Sequence, residues 1–120
     1  MEFRDSQAIY LQIADYICES ILQKKWKEED RIPSVRELAV NMEVNPNTVM
    51  RTFNYLQDKG IIYNKRGIGY FISDDGFMQT LELKKEIFVK EEMPKFIKTM
   101  KLLGITVSDF EKYYNKDNQN

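Results

Sequence analysis

The apolar residues in the first part of the chain recur with the period of an α-helix. Between residues 6 and 23, every fourth position of one stripe is an isoleucine. The stripe consists of Ile9, Ile13, Ile17 and Ile21, and Ala14 and Leu22 widen it. This spacing predicts an amphipathic helix over residues 6–23, and the side chain of Asp5 or Ser6 is suited to cap its start. A charged turn over residues 24–31 follows, with Trp26 as its expected hydrophobic anchor.

Two shorter helical patterns come next, each with its own start signal. Ser34 and Glu37 have the spacing of a capping box, in which each side chain bonds the other's backbone N–H. This helix should end near Met42. Asn45 suits the N-cap of the following helix and Pro46 its first position. The apolar faces are formed by Val35, Leu38, Ala39 and Met42 in the first helix and by Val49, Phe53 and Leu56 in the second.

The pattern then changes to two short runs rich in β-branched and aromatic residues. Gly60 is the expected left-handed stop of the preceding helix. Residues 61–63 and 70–72 predict two strands, and residues 65–69 form the loop between them. Asp74-Asp75-Gly76 predicts a break and a domain boundary. We therefore expect a mostly α fold with a small β-hairpin, and a first domain over residues 1–75.

A helical pattern returns in the last third of the chain, over residues 77–103. Pro94 lies inside it and should kink or divide the helix a few residues earlier. Gly104 breaks the chain again, and Ser108 is the candidate cap of a last short helix. The polar tail over residues 115–120 is expected to fray.

The apolar stripe of this helical extension, residues 76–120, needs a surface against which it can be buried. The segment is too short to enclose a ligand core of its own. It can fold back onto the first helix of the same chain or pack against a second copy through a two-fold interface, and we favour the second copy. The expected dimerisation residues are Leu81, Phe88, Met93, Phe96, Met100 and Leu103.

Composition removes several functional classes. No stretch approaches the roughly 18 apolar residues that span a bilayer, and the charged start of the chain lacks the pattern of a secretory signal. We therefore expect a cytoplasmic protein that does not associate with a membrane. The chain has one cysteine, Cys18, and no histidine. Cys/His metal sites and Ser-His or Cys-His catalysis therefore lack their residues. Cys18 lies in an apolar stripe and is expected to be buried and inert.

The distribution of charge favours a nucleic-acid partner more than the net charge of −1 suggests. Residues 31–73 contain six cations and three anions, which gives 6 − 3 = +3 in the helix-turn-helix-hairpin segment. The placement of a basic patch matters more for DNA binding than the total charge.

Polar residues at the start of the third helix are candidates for reading base edges in a major groove. Asn47 and Arg51 are four residues apart and so project from one helical face. Arginine can bond guanine and asparagine can bond adenine, each worth about 1–3 kcal/mol of discrimination. Thr48 can bond a phosphate or touch a thymine methyl group. Asn45 is a further candidate, although its role as a helix cap is the favoured interpretation.

The flanking candidates are suited to contact the sugar-phosphate backbone. Ser34 and Arg36 stand at the start of the second helix, where free N–H groups attract phosphate. In the hairpin loop, Lys65 and Arg66 provide charge. Gly67 and Gly69 allow close approach of the main chain. Each residue also has a plainer interpretation, as a helix cap, a solvated surface cation or a turn glycine.

Taken together, these segments resemble the winged-helix domain of GntR-family bacterial transcription regulators. The resemblance covers about residues 6–73. It is carried by Pro33-Ser34-Val35-Arg36-Glu37-Leu38-Ala39, Thr48-Val49, Leu56, Gly60, Gly67-Ile68-Gly69 and Ile9-Tyr10-Leu11-Gln12-Ile13. Residues 44–49, together with the short helical C-terminus, look most like the YtrA subfamily. That likeness implies a small dimeric repressor, often linked to an ABC-transporter operon.

The resemblance also implies roles for individual residues. Ser34 and Arg36 match the family's pair of phosphate- and base-contacting residues. Asn47, Thr48 and Arg51 match the recognition-helix segment, and Gly67 to Gly69 match the tip of the wing.

Four positions depart from the family's pattern. Met50 stands where many relatives have an arginine, so the operator should differ. Ile68 replaces a frequent basic wing residue. Lys25 and Glu29 stand where glycines are common, and a left-handed conformation there would cost about 1 kcal/mol.

We therefore expect a sequence-specific DNA-binding regulator that represses from a palindromic operator as a homodimer and that uses neither catalysis, cofactor nor metal. The alternative is a winged-helix module that binds another protein. An enzyme is the weakest interpretation, because the adjacent acidic pairs Glu91-Glu92 and Asp74-Asp75 have no evident pocket. A small-molecule effector could bind between the two domains, where Trp26, Phe77 and Phe88 are candidates.

Overall fold

The structure is a computed structural model that describes residues 2–4 and 6–118. The helices are α1 (Ile9–Leu22), α2 (Val35–Met42), α3 (Pro46–Asp58), α4 (Gly76–Ile87), α5 (Met93–Leu102) and α6 (Val107–Asn118). The strands are β1 (Ile62–Lys65) and β2 (Gly69–Ile72), and a π-helical turn, Phe88–Glu92, precedes α5. The chain forms two compact units that divide between residues 83 and 84. The expected mostly α fold with a small hairpin is confirmed. No helix in the described ranges is long and apolar enough to cross a bilayer.

The core of the first unit lies where α1 packs against α3. It buries the predicted isoleucines Ile13, Ile17 and Ile21 together with the predicted face of α3, Val49, Phe53 and Leu56. A fully buried side chain of this size contributes roughly 1.5–3 kcal/mol. The Cys18 thiol is buried, as expected. A residue outside the predicted stripe, Thr52, is also buried, and its hydroxyl donates to the Tyr10 carbonyl at 2.7 Å.

Helix α1 begins at Ile9, so the predicted start at Ser6 was wrong. Its N-cap position is Ala8, which makes no side-chain cap. The preceding residues are held instead by the buried amide of Gln12, which bonds the N–H and carbonyl of Arg4 and the carbonyl of Gln7. These bonds keep the segment outside the helix. The alternative cap, Asp5, lies outside the described residues.

Helices α2 and α3 begin where their local signals predicted. The Ser34 hydroxyl accepts from the Glu37 N–H at 3.1 Å, and the Glu37 carboxylate accepts from the Ser34 N–H at 3.3 Å, which completes the capping box. Asn45 caps α3 by accepting from the Asn47 N–H at 2.8 Å, and Pro46 takes the first position.

Within residues 2–4 and 6–118, three residues other than glycine have left-handed backbone: Lys24 at φ 61°, Glu29 at φ 68° and Glu43 at φ 56°. Of the two positions where the family often has glycine, Glu29 is left-handed and Lys25 is not. The N–H groups of Lys24 and Lys25 bond back to the carbonyls of Ile21 and Ser20. In a helix-ending turn with these two bonds, the first of the two donor residues is the left-handed one. Here that residue is Lys24, and not Lys25.

The hairpin is antiparallel and pairs Ile62 with Ile72 through Lys65 with Gly69. Lys65 and Gly69 therefore belong to the strands, and the loop is three residues long, 66–68, shorter than the predicted 65–69. Arg31, which precedes α2, forms a single antiparallel β-bridge with Phe71 of β2.

Gly76 lies inside α4 and is buried, so the predicted break ends at Asp75. A Cβ at Gly76 would come within 2.6 Å of the Ile72 Cγ2 atom and 3.0 Å of the Ile61 carbonyl oxygen. Phe77 and Leu83 also pack against the core of the first unit. The first compact unit therefore extends past residue 75 to residue 83.

The second unit contains the predicted interruption before Pro94, seen as the π-helical turn. Its last helix is capped by Thr106, so the prediction of Ser108 was wrong. The Thr106 N–H donates to the Asp109 carboxylate at 3.0 Å, and the Asp109 N–H donates to the Thr106 hydroxyl at 3.1 Å. The hydrogen bond from the Thr106 backbone, and after it one from the Thr106 side chain, lower the pKa of the Asp109 carboxylate. Helix α6 continues to Asn118 and so includes the first four residues of the tail that was expected to fray, while residues 119 and 120 lie outside the described ranges.

Candidate nucleic-acid interface

Helix α3 presents its polar candidates on the side opposite its buried face. Asn47 and Arg51 are exposed and Thr48 is half-buried, whereas Val49 and Phe53 are fully buried. The three polar residues line one open cleft of about 380 Å³, together with Ala8, Ile9 and Tyr10 of the α1 region. The structure thus brings the three predicted base-reading residues into a single accessible surface.

The Arg51 guanidinium is not loose in solvent but lies on the face of an aromatic ring. Its Cζ atom is 3.9 Å from the centre of the Tyr10 ring. Tyr10 in turn makes an edge contact with Tyr55, with ring centres 6.2 Å apart. Tyr10 was not among the site residues predicted from the sequence. Its only signal was an aromatic side chain at the start of α1, beside the isoleucine stripe.

The two cap residues have less hydrogen-bonding capacity left for a ligand than the sequence suggested. The Asn45 side-chain oxygen and the Ser34 hydroxyl oxygen both accept backbone N–H groups within the chain. Arg36 is exposed and lies with Ser34 in a second open cleft, of about 300 Å³. Neither this cleft nor the α3 cleft is lined by residues of the hairpin loop.

The wing, residues 62–72, carries its charge on an aromatic support. The Lys65 ammonium lies 4.8 Å from the centre of the Phe71 ring, which stacks against Tyr63 at 5.8 Å. The Tyr63 hydroxyl donates to the Glu29 carboxylate, which raises the pKa of Tyr63. The base of the wing is thereby tied to the turn after α1.

The tip of the wing is exposed. Arg66 and Ile68 both face solvent, and Gly67, at φ 79°, has nothing within 4 Å of a built Cβ. Gly69, at φ 149°, lies against the Arg31 side chain, whose Nε would be 2.9 Å from a Cβ there. Arg31 is a cation that sequence analysis counted only toward the local charge, and the structure places it beside the wing.

The second unit has an apolar groove of about 820 Å³. Four predicted dimerisation residues line it, namely Phe88, Met93, Phe96 and Met100, together with Ile97, Ile105, Val107, Phe110 and Tyr114. Phe88 and Phe96 are about half exposed, at 47% and 50%. The other two predicted residues lie elsewhere: Leu81 is half-buried in the first unit, and Leu103 is exposed and outside the groove lining.

The candidate effector residues belong to both compact units. Trp26 and Phe77 line a cleft of about 380 Å³ in the first unit, and Phe88 lines the groove of the second.

Comparison with known proteins identifies relatives over nearly the whole chain. Residues 9–72 match the gntR family of bacterial regulatory proteins. The chain is 39% identical to the uncharacterized HTH-type transcriptional regulator YhcF of Bacillus subtilis, over 88% of this chain and 85% of YhcF. It is 34% identical to the HTH-type transcriptional repressor YtrA of the same organism, over 92% of this chain and 84% of YtrA.

Solved structures show the same fold. The crystal structure of a GntR-family regulator from Bacteroides thetaiotaomicron shares 50% identity, covers 94% of this chain and all of that one, and has a TM-score of 0.78. The DNA-binding domain of AraR in complex with operator ORR3 shares 27% identity, covers 61% of this chain and 86% of that domain, and has a TM-score of 0.55.

The fold is therefore a winged helix-turn-helix DNA-binding domain followed by a helical extension, and the close relatives are transcription regulators rather than enzymes. The match over residues 9–72 and the identity to full-length relatives establish that this chain belongs to the GntR family of bacterial transcription regulators.

Proposed function

We propose that this GntR-family protein represses transcription by binding a palindromic DNA operator as a homodimer. The observation that carries the proposal is the exposed polar side of α3, where Asn47, Thr48 and Arg51 share one open cleft while the opposite side is buried. A helix that is rigidly held by its apolar face and polar at its N-terminal end fits the major groove. The AraR domain, which has the same fold, is known in complex with an operator.

The remaining candidates complete the proposed interface. Arg36, Lys65 and Arg66 are cations outside the reading helix and would contact phosphates, which fix register without reading sequence. Ser34 and Asn45 would contribute through the helix starts that they cap, and Gly67 and Gly69 through close approach of the wing backbone.

Repression is supported by similarity to YtrA, which is a transcriptional repressor. A repressor of this kind needs no catalytic group, only an operator that overlaps a promoter. The palindrome follows from the proposed dimer, because two related recognition helices about one DNA turn apart read two related half-sites.

Selection of bound genomic fragments, followed by sequencing, tests the proposal. We expect enrichment of one inverted-repeat motif, and a gel shift of that motif that weakens as salt is raised. Expression from a promoter that carries the motif should rise when the gene is deleted. If no motif is enriched, and fragments either shift equally at low and at high salt or do not shift at all, the proposal fails in favour of a protein-binding module.

An effector is a separate part of the proposal and needs its own test. The cleft lined by Trp26 and Phe77 contains both cations and anions, so a polar metabolite is the class that it suits. We expect one member of a metabolite panel to lower operator affinity, and Trp26→Leu to abolish that effect. Unchanged operator affinity across the panel would argue against an effector.

A further inference from the structure

We propose that Tyr10 is a positioning residue that sets the sequence specificity of Arg51. This inference rests on the proposed function, because it assumes that Arg51 reads a base. Its structural basis is the placement of the Arg51 guanidinium on the Tyr10 ring, with 3.9 Å between Cζ and the ring centre. Of the four cation–ring contacts in the described part of the chain, this one is the shortest, since the lysine contacts span 4.8–5.7 Å.

Contact with the Tyr10 ring would hold the Arg51 side chain in one orientation before DNA binds, without occupying the N–H donors that bind a base. All the N–H donors of a guanidinium lie in its plane. We infer that the 3.9 Å contact is made by the flat face of the guanidinium, which leaves the donor edge available for the two acceptors of a guanine. The ring also restricts a long side chain that would otherwise sample many rotamers, so less freedom remains to be lost on binding.

Tyr10 is itself held in place relative to the reading helix. Its carbonyl accepts the hydroxyl of Thr52, the residue after Arg51, at 2.7 Å. Its ring makes a T-shaped contact with Tyr55, which is also on α3. Helix α1 is therefore fastened to α3 directly beside Arg51. Because the bond from Thr52 uses the Tyr10 backbone, it should survive a change of the Tyr10 side chain.

The test uses full-length protein and the operator that the wild-type protein selects. Affinity is measured by fluorescence anisotropy for that operator and for duplexes in which one base pair at a time is replaced. The base pair at which Arg51→Ala loses discrimination identifies what Arg51 reads. Tyr10→Leu should reduce discrimination at that same base pair by about two- to fivefold, the expected size of an exposed cation–π contact. Discrimination at the other base pairs should be unchanged.

Two variants control for loss of the ring's face and for general damage. Tyr10→Phe keeps the aromatic face and should retain wild-type discrimination. Tyr16→Leu makes the same exchange at an exposed tyrosine of α1 whose ring contacts Trp26, and it should change nothing at the operator. In the double variant Tyr10→Leu/Arg51→Ala, discrimination should equal that of Arg51→Ala alone, because Tyr10 acts through Arg51.

A direct structural measurement keeps the proposal falsifiable even if Tyr10→Leu is unstable. In unbound wild-type protein, the Arg51 Nε–H resonance should show a ring-current shift that persists in Tyr10→Phe. An Arg51 resonance at its ordinary position in both proteins would overturn the proposal. Equal loss of affinity for every duplex with Tyr10→Leu would do the same, since that pattern indicates a general structural role.

Failure of this inference is distinguishable from failure of the proposed function. If the wild-type protein selects no motif, the proposed function fails. If a motif is selected and Arg51→Ala loses discrimination but Tyr10→Leu does not, only the role of Tyr10 is refuted. If Arg51→Ala keeps full discrimination, Arg51 does not read the operator, and the inference is refuted while DNA binding stands.

Discussion

Arg51 and Arg66 are both exposed arginines of the first unit, yet their surroundings predict different contributions to binding. Arg51 is fixed on a ring in the cleft of the reading helix, and Arg66 stands in the three-residue loop at the tip of the wing. A fixed guanidinium favours a directional contact with a base, whereas a mobile surface cation favours a contact with phosphate charge. Their substitution should therefore have distinct signatures.

Arg51→Ala should lose discrimination at the base pair that Arg51 reads, so that it no longer protects the operator at the protein concentration at which the wild type does, and should leave the thermal midpoint nearly unchanged. The side chain is exposed, so its loss removes little buried surface, but one bidentate base contact is worth about 1–3 kcal/mol in each half-site. Footprinting and thermal unfolding check the two parts. Lys59→Ala, just after the C-terminal end of the same helix, is the matched control and should still protect the operator. Protection of the wild-type site by the Arg51 variant would refute the assignment.

Arg66→Ala should weaken binding to all sequences by a similar factor and lower the salt slope of binding by about 1. The reason is that a phosphate contact releases counterions without reading a base. Affinity measured over a salt series for specific and random duplexes gives both quantities. Lys112→Ala, an equally exposed cation in α6, should leave the slope unchanged. A change in selectivity with Arg66→Ala would show that the wing reads bases.

At the level of secondary-structure elements, four helices end in the same left-handed turn. After α1, α2, α3 and α5 the left-handed residue is Lys24, Glu43, Gly60 and Gly104, respectively. In each case its N–H and that of the next residue bond back to the end of the helix. Glycine adopts this conformation without strain, whereas in other residues the clash of Cβ with the backbone costs roughly 1–2 kcal/mol of folding free energy. Two of the four turns are therefore strained.

Glu43→Gly should stabilise the protein by about 0.5–1 kcal/mol, the relief of strain less the entropy that glycine adds to the unfolded chain. Glu43 is exposed, so little packing is lost. Urea unfolding measures the change. Glu43→Gln separates the effect of charge, and Asn41→Gly, two residues earlier and inside α2, should destabilise slightly, by roughly 0.3 kcal/mol. A Glu43→Gly protein no more stable than Glu43→Gln would contradict the strain argument.

Gly76→Ala should destabilise the protein by about 1–3 kcal/mol, although alanine is the better helix former. The new methyl group would meet the Ile72 side chain and the Ile61 carbonyl, neither of which can move without disturbing the core. Thermal or urea unfolding checks the sign. Met78→Ala, at an exposed position of the same helix, should change stability by no more than about 0.5 kcal/mol. A more stable Gly76→Ala protein would mean that the backbone relaxes to accept the methyl group.

Elements whose signals are local in sequence were predictable. The capping box of Ser34 and Glu37 and the Asn45-Pro46 start involve residues at most three positions apart, and both define the helix starts that the structure shows. The cap of α6 was missed because Thr106 and Ser108 both offer a hydroxyl. What separates them is Asp109, whose carboxylate reaches back to the Thr106 N–H.

Features that depend on distant contacts were not predictable from the pattern. Tyr10 and Arg51 are 51 − 10 = 41 positions apart, and helical periodicity on α1 gives no reason to place that ring beneath that cation. The role of Gly76 was missed similarly, since a glycine after two aspartates is typical of a turn, and only the packed strands show why no side chain fits.

At the scale of the whole molecule, the two compact units carry surfaces of opposite character. The first presents polar and basic residues on α3 and the wing, and the second presents a groove lined almost entirely by apolar side chains. Soluble monomers rarely expose large continuous apolar patches. A second copy bound at the groove would remove this surface from water and supply the second recognition helix that the proposed palindrome needs.

Phe96→Lys should convert a dimer to a monomer. The wild-type chain should scatter light as about 2 × 14.3 = 28.6 kDa at micromolar concentration, and the variant as 14.3 kDa. A charge placed in the groove would have to be buried without a partner, which strongly opposes association. Leu102→Lys makes the same kind of change on α5 at a residue outside the groove lining and should leave the dimer intact. A wild-type mass near 14 kDa at every concentration would refute dimerisation.

The groove also has a consequence for how much of the protein a cell would hold. If a second copy covers Phe88 and Phe96, a newly made chain carries water-exposed aromatic surface until it meets another. Chaperones and proteases act on such surface, and mass action leaves a larger share of chains solitary when synthesis is slow. Chains that are made slowly would then be degraded almost entirely, whereas chains that are made faster would pair and accumulate. The regulator would therefore accumulate only above a threshold rate of synthesis.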